Sequence, residues 1–212
     1  MARAIANVRV SVRGVIPPES CIVVMNHQSV LDIPIGLSLV PGPYPLIPTR
    51  DRYRWGIPGI APLARLARFP FVSQKRVRSR AELAALTDAA DQVARGEQSL
   101  LIFPEGHRSR HGGMGRFMRS GLRIVFSRAS RPVYCVVADG MVNARSFTDA
   151  LVGFADLDVR IVISGPLEPP RDAAAIDAFM DSLYERMAGT LAELRSDSTT
   201  GSASVADAAV HR

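Results

Sequence analysis

Only two cysteines occur in the chain, Cys21 and Cys135, and both lie inside apolar runs that read as strands. So few cysteines exclude a disulfide framework, and the two are expected as small core side chains rather than a disulfide or a metal pair. Long hydrophobic runs are missing as well. The longest candidate, from Leu31, is interrupted by Pro34, Pro41, Pro43 and Pro45, so it falls short of the roughly 18 residues a membrane span needs. The N-terminal stretch "MARAIANVRVSVRG" carries arginines among its apolar positions and lacks the unbroken apolar core of a secretory signal, so the chain is expected to stay in the cytoplasm. Lysine is reduced to Lys75, every other strong base being arginine, which makes the arginine count a poor sign of phosphate recognition. No zinc-finger spacing, aromatic-interleaved basic sheet motif or heptad zipper is present, so nucleic acid is not expected as a partner. His107 and His111 are four positions apart, but Gly112 and Gly113 beside them argue against the helix that would aim both at one metal, and no metal site is expected.

What is present bounds the fold. A chain of 212 residues with 47% hydrophobic content suffices for one α/β domain with a buried core. A formal charge of +6 favours an anionic partner: nucleic acid, a phospholipid surface, or a phosphorylated or CoA-bearing substrate. The sign alone does not choose among them.

Val8, Val10 and Val12 alternate with Arg9, Ser11 and Arg13, the period of a strand with one wet face, and "CIVVM" reads as a buried strand. A helix is expected from about Ser29 to Val40, "YPLIP" is a candidate short strand, and Tyr53 to Ala67 reads as an irregular helix. Phe69 to Val72 is the next strand. Ser79 and Glu82 form a capping box for a helix running to about Gly96, with Leu83, Leu86, Ala90 and Val93 on its apolar face. "SLLIF" is a buried strand, and a helix over Met118 to Ala129 follows the glycine-rich "HGGMG". Strands "VYCVV" and "VRIVI" precede a last helix from about Ala173 to Leu194, and the small, polar segment 196–212 is expected to be a disordered tail. Strands alternating with helices imply a mixed, largely parallel sheet flanked by helices, with active-site groups at the carboxyl ends of strands.

The stretch "VVMNHQSVLDIP" places His27 and Asp32 where a buried strand meets a helix. Five residues along a regular helix turn through about 140°, so the two side chains meet only if His27 lies in the turn. With Ser29 as N-cap, Asp32 is the third helical residue and points back toward the helix start. Hydrogen-bonded to one ring nitrogen, Asp32 would fix the tautomer and leave the other nitrogen as a general base. The same spacing equally describes a capping box beside a surface histidine. Both readings stand on this stretch alone.

"FPEGHRS" supplies a second motif: Glu105 and Gly106 leave the end of a buried strand, and Arg108 is a ready phosphate ligand. With "NHQSVLD" ahead of it and "RPVYCVV", carrying Pro132, after it, the chain resembles the glycerophospholipid acyltransferases, of which 1-acylglycerol-3-phosphate acyltransferase is the type member. The resemblance runs from about Cys21 to Val137. It implies a glycerolipid acyltransferase-like fold over residues 1–195 and transfer of a fatty acyl group from acyl-CoA or acyl carrier protein to the hydroxyl of a lysophospholipid. His27 would be the base and Asp32 its orienter, with Glu105, Gly106 and Arg108 in the acceptor site. The acyl donor is a co-substrate and no cofactor is expected. The lack of a Gly-x-Ser-x-Gly elbow agrees with direct attack on the thioester and no covalent acyl-enzyme.

Two positions depart from the family pattern. His107 stands where a threonine is usual, and in "FVSQKR" Gln74 stands where relatives carry arginine. Arg76, returned to the same strand face, and Lys75 are the candidate replacements for binding the acceptor phosphate. The changed segment keeps open a different acceptor, such as a lyso-aminolipid. A thioester hydrolase and an inactive lipid-binding module stay open beside it. Tyr53, Trp55 and the arginines at 50, 52, 54, 65 and 68 form a candidate patch for an anionic membrane surface, which would place the protein peripherally on the inner face of the cell membrane.

Overall fold

The computed structural model describes residues 8–50, 70–72, 80–109, 111–142 and 157–208. Five strands make the main sheet: β1 (Val8–Arg13), β2 (Ile22–Met25), β5 (Leu100–Ile102), β6 (Val133–Asp139) and β7 (Leu157–Leu167), in the order β1-β7-β6-β2-β5. Neighbours run parallel except β6 and β7, which are antiparallel. This is the expected mixed, largely parallel sheet. The short strands β3 (Thr49–Arg50) and β4 (Phe71–Val72) pair separately.

Strands β2, β5 and β6 are buried at every residue. Their near-continuous apolar runs are what a parallel sheet covered on both faces requires. One face, with Ile22, Val24, Leu100, Val133, Cys135 and Val137, packs beneath three helices: α2 (Arg80–Ala94), α3 (Arg119–Arg128) and α4 (Ile176–Ala208). The opposite face, with Val23, Met25, Leu101, Val136 and Ala138, packs against the short helix α1 (Asp32–Leu39). Cys21 and Cys135 lie unbridged in these two clusters. Burial pushes the Cys135 thiol up to about 12, against the opposing charge of Arg186.

The carboxyl ends of β2, β5 and β6 share one edge of the sheet, since these strands run parallel. Three loops leave there: 26–31 after β2, 103–118 after β5 and the segment from Gly140 after β6. The motif residues lie on the first two.

Several expectations are corrected. Val10 and Val12 were expected under cover, but β1 is an edge strand and both are about half exposed, at 53% and 44%. On α2, Leu86, Ala90 and Val93 are buried as expected, whereas Leu83 is exposed and Ala89 is buried instead. Helix α4 continues to Ala208, past the end expected near Leu194. Adding turns to a formed helix is much cheaper than nucleating one, which offsets the weak propensities there. Tyr53 to Ala67, Ser79 and the basic residues Lys75 and Arg76 lie outside the described residues, as do Gln74, Trp55 and Arg52, Arg54, Arg65 and Arg68.

Candidate active site

Strand β2 is followed by Asn26, whose side chain takes over where the ladder stops. Its Nδ2 donates to the Ala138 carbonyl and its Oδ1 accepts from the Ala138 N–H, both at 2.8 Å. The amide thereby imitates a peptide group and fixes the next residue against β6.

That next residue, His27, is held at four points. Its N–H donates to Glu105 Oε1 at 2.8 Å, and its carbonyl accepts from the Ser109 N–H at 2.7 Å. Its ring stacks on Phe103 with centroids 4.3 Å apart. Its Nδ1 lies 2.8 Å from Asp32 Oδ2. Because a carboxylate only accepts, Nδ1 carries the hydrogen and Nε2 is left with a lone pair. The side chain is 15% exposed, so part of the ring reaches the surface.

Asp32 bonds both the His27 ring and the backbone ahead of the helix. Its Oδ2 accepts from Nδ1 of His27, and also from the N–H groups of Gln28 at 2.6 Å and Ser29 at 2.7 Å. The Leu31 N–H donates to the Ser29 hydroxyl at 3.1 Å, a local side-chain turn just ahead of the regular helix. Helix α1 proper therefore begins at Asp32 rather than Ser29. Asp32 is completely buried, and a buried carboxylate needs such donors. Its other oxygen, Oδ1, has no hydrogen-bond partner among the described residues.

Glu105 departs from its expected place among acceptor ligands. It is 1% exposed, and both its oxygens are engaged: Oε1 by His27 and Oε2 by the Gly115 N–H at 2.7 Å. The carboxylate ties the loop after β5 to the backbone of the histidine instead of facing solvent. Burial pushes its carboxyl above the usual range, opposed by the N–H donors of His27 and Gly115. A Cβ on Gly115 would lie 2.5 Å from Oε2, so only glycine lets its backbone approach so closely. Gly106 has φ +68°, the left-handed region expected of it. Arg108 is half-buried on the same loop, beside the Ser109 that bonds His27.

Phe103 and Asn26 lie inside the motifs, where nothing local assigns them a role. Gly115, Gln28 and Asp139 escape a reading of the sequence, because their importance comes only from contacts across the fold.

A carboxylate-oriented imidazole at the carboxyl ends of parallel strands is a site suited to proton abstraction by a general base. The family model for Acyltransferase matches residues 7–139, a span that contains this site. The chain belongs to the Acyltransferase family and is an acyltransferase. It is 26% identical over 199 residues to 1-acyl-sn-glycerol-3-phosphate acyltransferase alpha of Homo sapiens, covering 92% of this chain and 68% of the relative. The Mus musculus protein of the same name is 29% identical over 139 residues, covering 64% and 47%. The crystal structure of the 1-acyl-sn-glycerophosphate (LPA) acyltransferase PlsC from Thermotoga maritima superposes with TM-score 0.70 at 25% identity, covering 89% of this chain and 73% of that one.

Proposed function

We propose that this enzyme moves a fatty acyl group from acyl-CoA or acyl carrier protein to the free hydroxyl of 1-acylglycerol-3-phosphate, giving phosphatidate. The observation that carries this reading is the His27 imidazole, oriented by Asp32 through Nδ1 with Nε2 free to act. Nε2 takes the hydroxyl proton as the oxygen attacks the thioester carbonyl carbon. The carbon–sulfur bond then breaks, and the departing thiolate receives the proton from the imidazolium. The serine elbow that would carry a covalent acyl-enzyme is missing from the sequence, and proximity with charge stabilisation suffices for direct transfer. The names of the relatives support the acceptor.

Arg108 is the candidate cation for the acceptor phosphate on the described loop, with Arg76 and Lys75 the candidates from the segment where Gln74 departs from the family pattern. Gly106 gives that loop its turn, whereas Glu105 serves by holding His27. The enzyme works at an anionic membrane surface, peripherally on the inner face of the cell membrane. Among the described residues no helix is long and apolar enough to cross a membrane. Helix α1 carries no charge beyond the buried Asp32, and its half-buried Ile33, Ile35 and Leu37 give the domain an apolar surface that suits lipid contact.

The deciding assay follows CoA release from acyl-CoA with and without lysophosphatidate. Release that depends on the acceptor supports transfer, and release without it means hydrolysis. A preference for a lyso-aminolipid over lysophosphatidate would replace the proposed acceptor.

A further inference from the structure

Gln28, the residue after the base, is 1% exposed and anchored from two sides. Its backbone N–H goes to Asp32. Its side chain points elsewhere: Nε2 donates to the Gly112 carbonyl at 3.0 Å and to Asp139 Oδ1 at 3.2 Å. Both partners are acceptors, so the amide orientation is fixed by chemistry. Among the described residues Oε1 has no partner, and the grip on this side chain rests on Nε2.

Those two acceptors are held by one arginine on the last helix. Arg195 Nη2 donates to the Gly112 carbonyl at 2.7 Å and to Asp139 Oδ1 at 3.0 Å. Gly112 has φ +76°, and a Cβ there would stand 3.0 Å from that nitrogen. Asp139, the last residue of β6, is 8% exposed, and its other described cation, Arg160, is farther away at 3.7 Å. Arg160 in turn donates to the Leu194 carbonyl at 2.5 Å. One guanidinium thus closes a path from α4 through Asp139 and Gly112 to the loop that carries the base. A bidentate, charge-assisted contact of this sort fixes direction as well as distance.

We infer that Arg195 is a positioning residue for acyl transfer, setting the 27–32 loop through Asp139, Gly112 and Gln28. This rests on the reading of His27 as the base. Without Arg195, Asp139 keeps a buried charge with weaker compensation and the Gly112 loop loses its second donor. Gln28 then has no fixed pair of acceptors, and His27 drifts from its line of attack while the substrate sites keep their residues.

The test is a double-mutant cycle in the full chain, read as kcat and KM with acyl-CoA and lysophosphatidate. Arg195→Ala and Gln28→Ala are each expected to lower kcat roughly 10- to 100-fold, the scale of a small misplacement of a reacting group, with both KM values kept. Because the two residues act through one link, the double variant should lose little more than either single one. Arg123→Ala, which loosens α4 at an exposed pair, should keep kcat. Losses that multiply in the double variant, a normal kcat for either single variant, or an equal loss in Arg123→Ala would each overturn the inference. Should Arg195→Ala fail to fold, Asp139→Asn paired with Gln28→Ala closes the cycle under the same criteria. His27→Ala, run alongside, separates the two readings: residual turnover near normal would remove the base, whereas an inactive His27→Ala with a normal Arg195→Ala would remove only the role of Arg195.

Discussion

The loop around His27 and the outer surface of α2, α3 and α4 both bring charged side chains within hydrogen-bonding distance, yet they differ in what those bonds hold. On the helices Arg123 meets Asp177 at 2.9 and 2.5 Å, Arg128 meets Asp91 at 2.8 and 3.0 Å, and Arg119 meets Asp181. All of these side chains are a third or more exposed. Water and salt screen such pairs, and their loss leaves solvated groups behind. In the loop, Asp32 and Glu105 are buried and their donors are largely backbone N–H groups. Removing one acceptor there strands donors that no water reaches. The penalty for breaking a bond therefore differs between the two regions.

The variant expected to have the largest effect is His27→Ala. Losing the base should cost at least roughly 100-fold in kcat, a loss of rate well beyond the loss of stability from the Phe103 stacking contact and the bond to Asp32. A folded variant with near-normal turnover would sink the assignment.

Asp32→Asn comes next. Three donors converge on Oδ2, so the amide oxygen should take that place and put its NH2 where Oδ1 lies without a partner. Nδ1 then keeps its hydrogen, but the charge that stabilises an imidazolium is gone. Turnover should fall roughly 100-fold, with about 1–3 kcal/mol of stability lost to the unpaired buried amide. Matched thermal melts and steady-state rates separate these effects.

Glu105→Gln places an NH2 against one of two backbone N–H donors. It is expected to lower kcat by about tenfold, in line with one net hydrogen bond to a charged group. Its pH signature has a definite sign. The folded carboxyl lies above the ordinary 4.5 because burial outweighs its N–H donors, so its contribution to stability is full below 4.5 and is lost as pH rises through the folded value. Relative to Glu105→Gln, the wild type should therefore lose stability with rising pH, measured by denaturant midpoints on both sides of 4.5.

The helix surface gives the opposite sign and the smallest effect. Hydrogen bonds from Arg123 and Arg128 hold Asp177 and Asp91 below the ordinary 3.8. Their contribution is present above 3.8 and is lost as pH falls through the folded values. Solvent screening shrinks it, so Arg128→Ala should leave kcat unchanged and shift the melting temperature barely measurably. A large shift would erase the contrast between the two regions.

The sequence by itself brought His27 and Asp32 forward as a pair, because both lie in one short strand-to-helix connection and the bonds that join them are local. It determined the buried strands too, since a continuous apolar run has little else to become in a chain of this length. Tertiary structure alone decided what Glu105 does. Whether a carboxylate after β5 faces a substrate or a backbone N–H depends on β5 lying beside β2, and no local pattern encodes that neighbour. The same holds for Gly115, whose missing side chain matters only once Glu105 stands against it, and for Leu83, which follows the helical spacing yet stands exposed. Arg195 lies at the far end of the chain from Gln28, near where a loose tail was expected. Its contact exists because β6 and β7 bring Asp139 and Arg160 beneath the last helix. Spacing specifies hydrogen bonds closed within a turn, and strand order specifies those closed across the sheet.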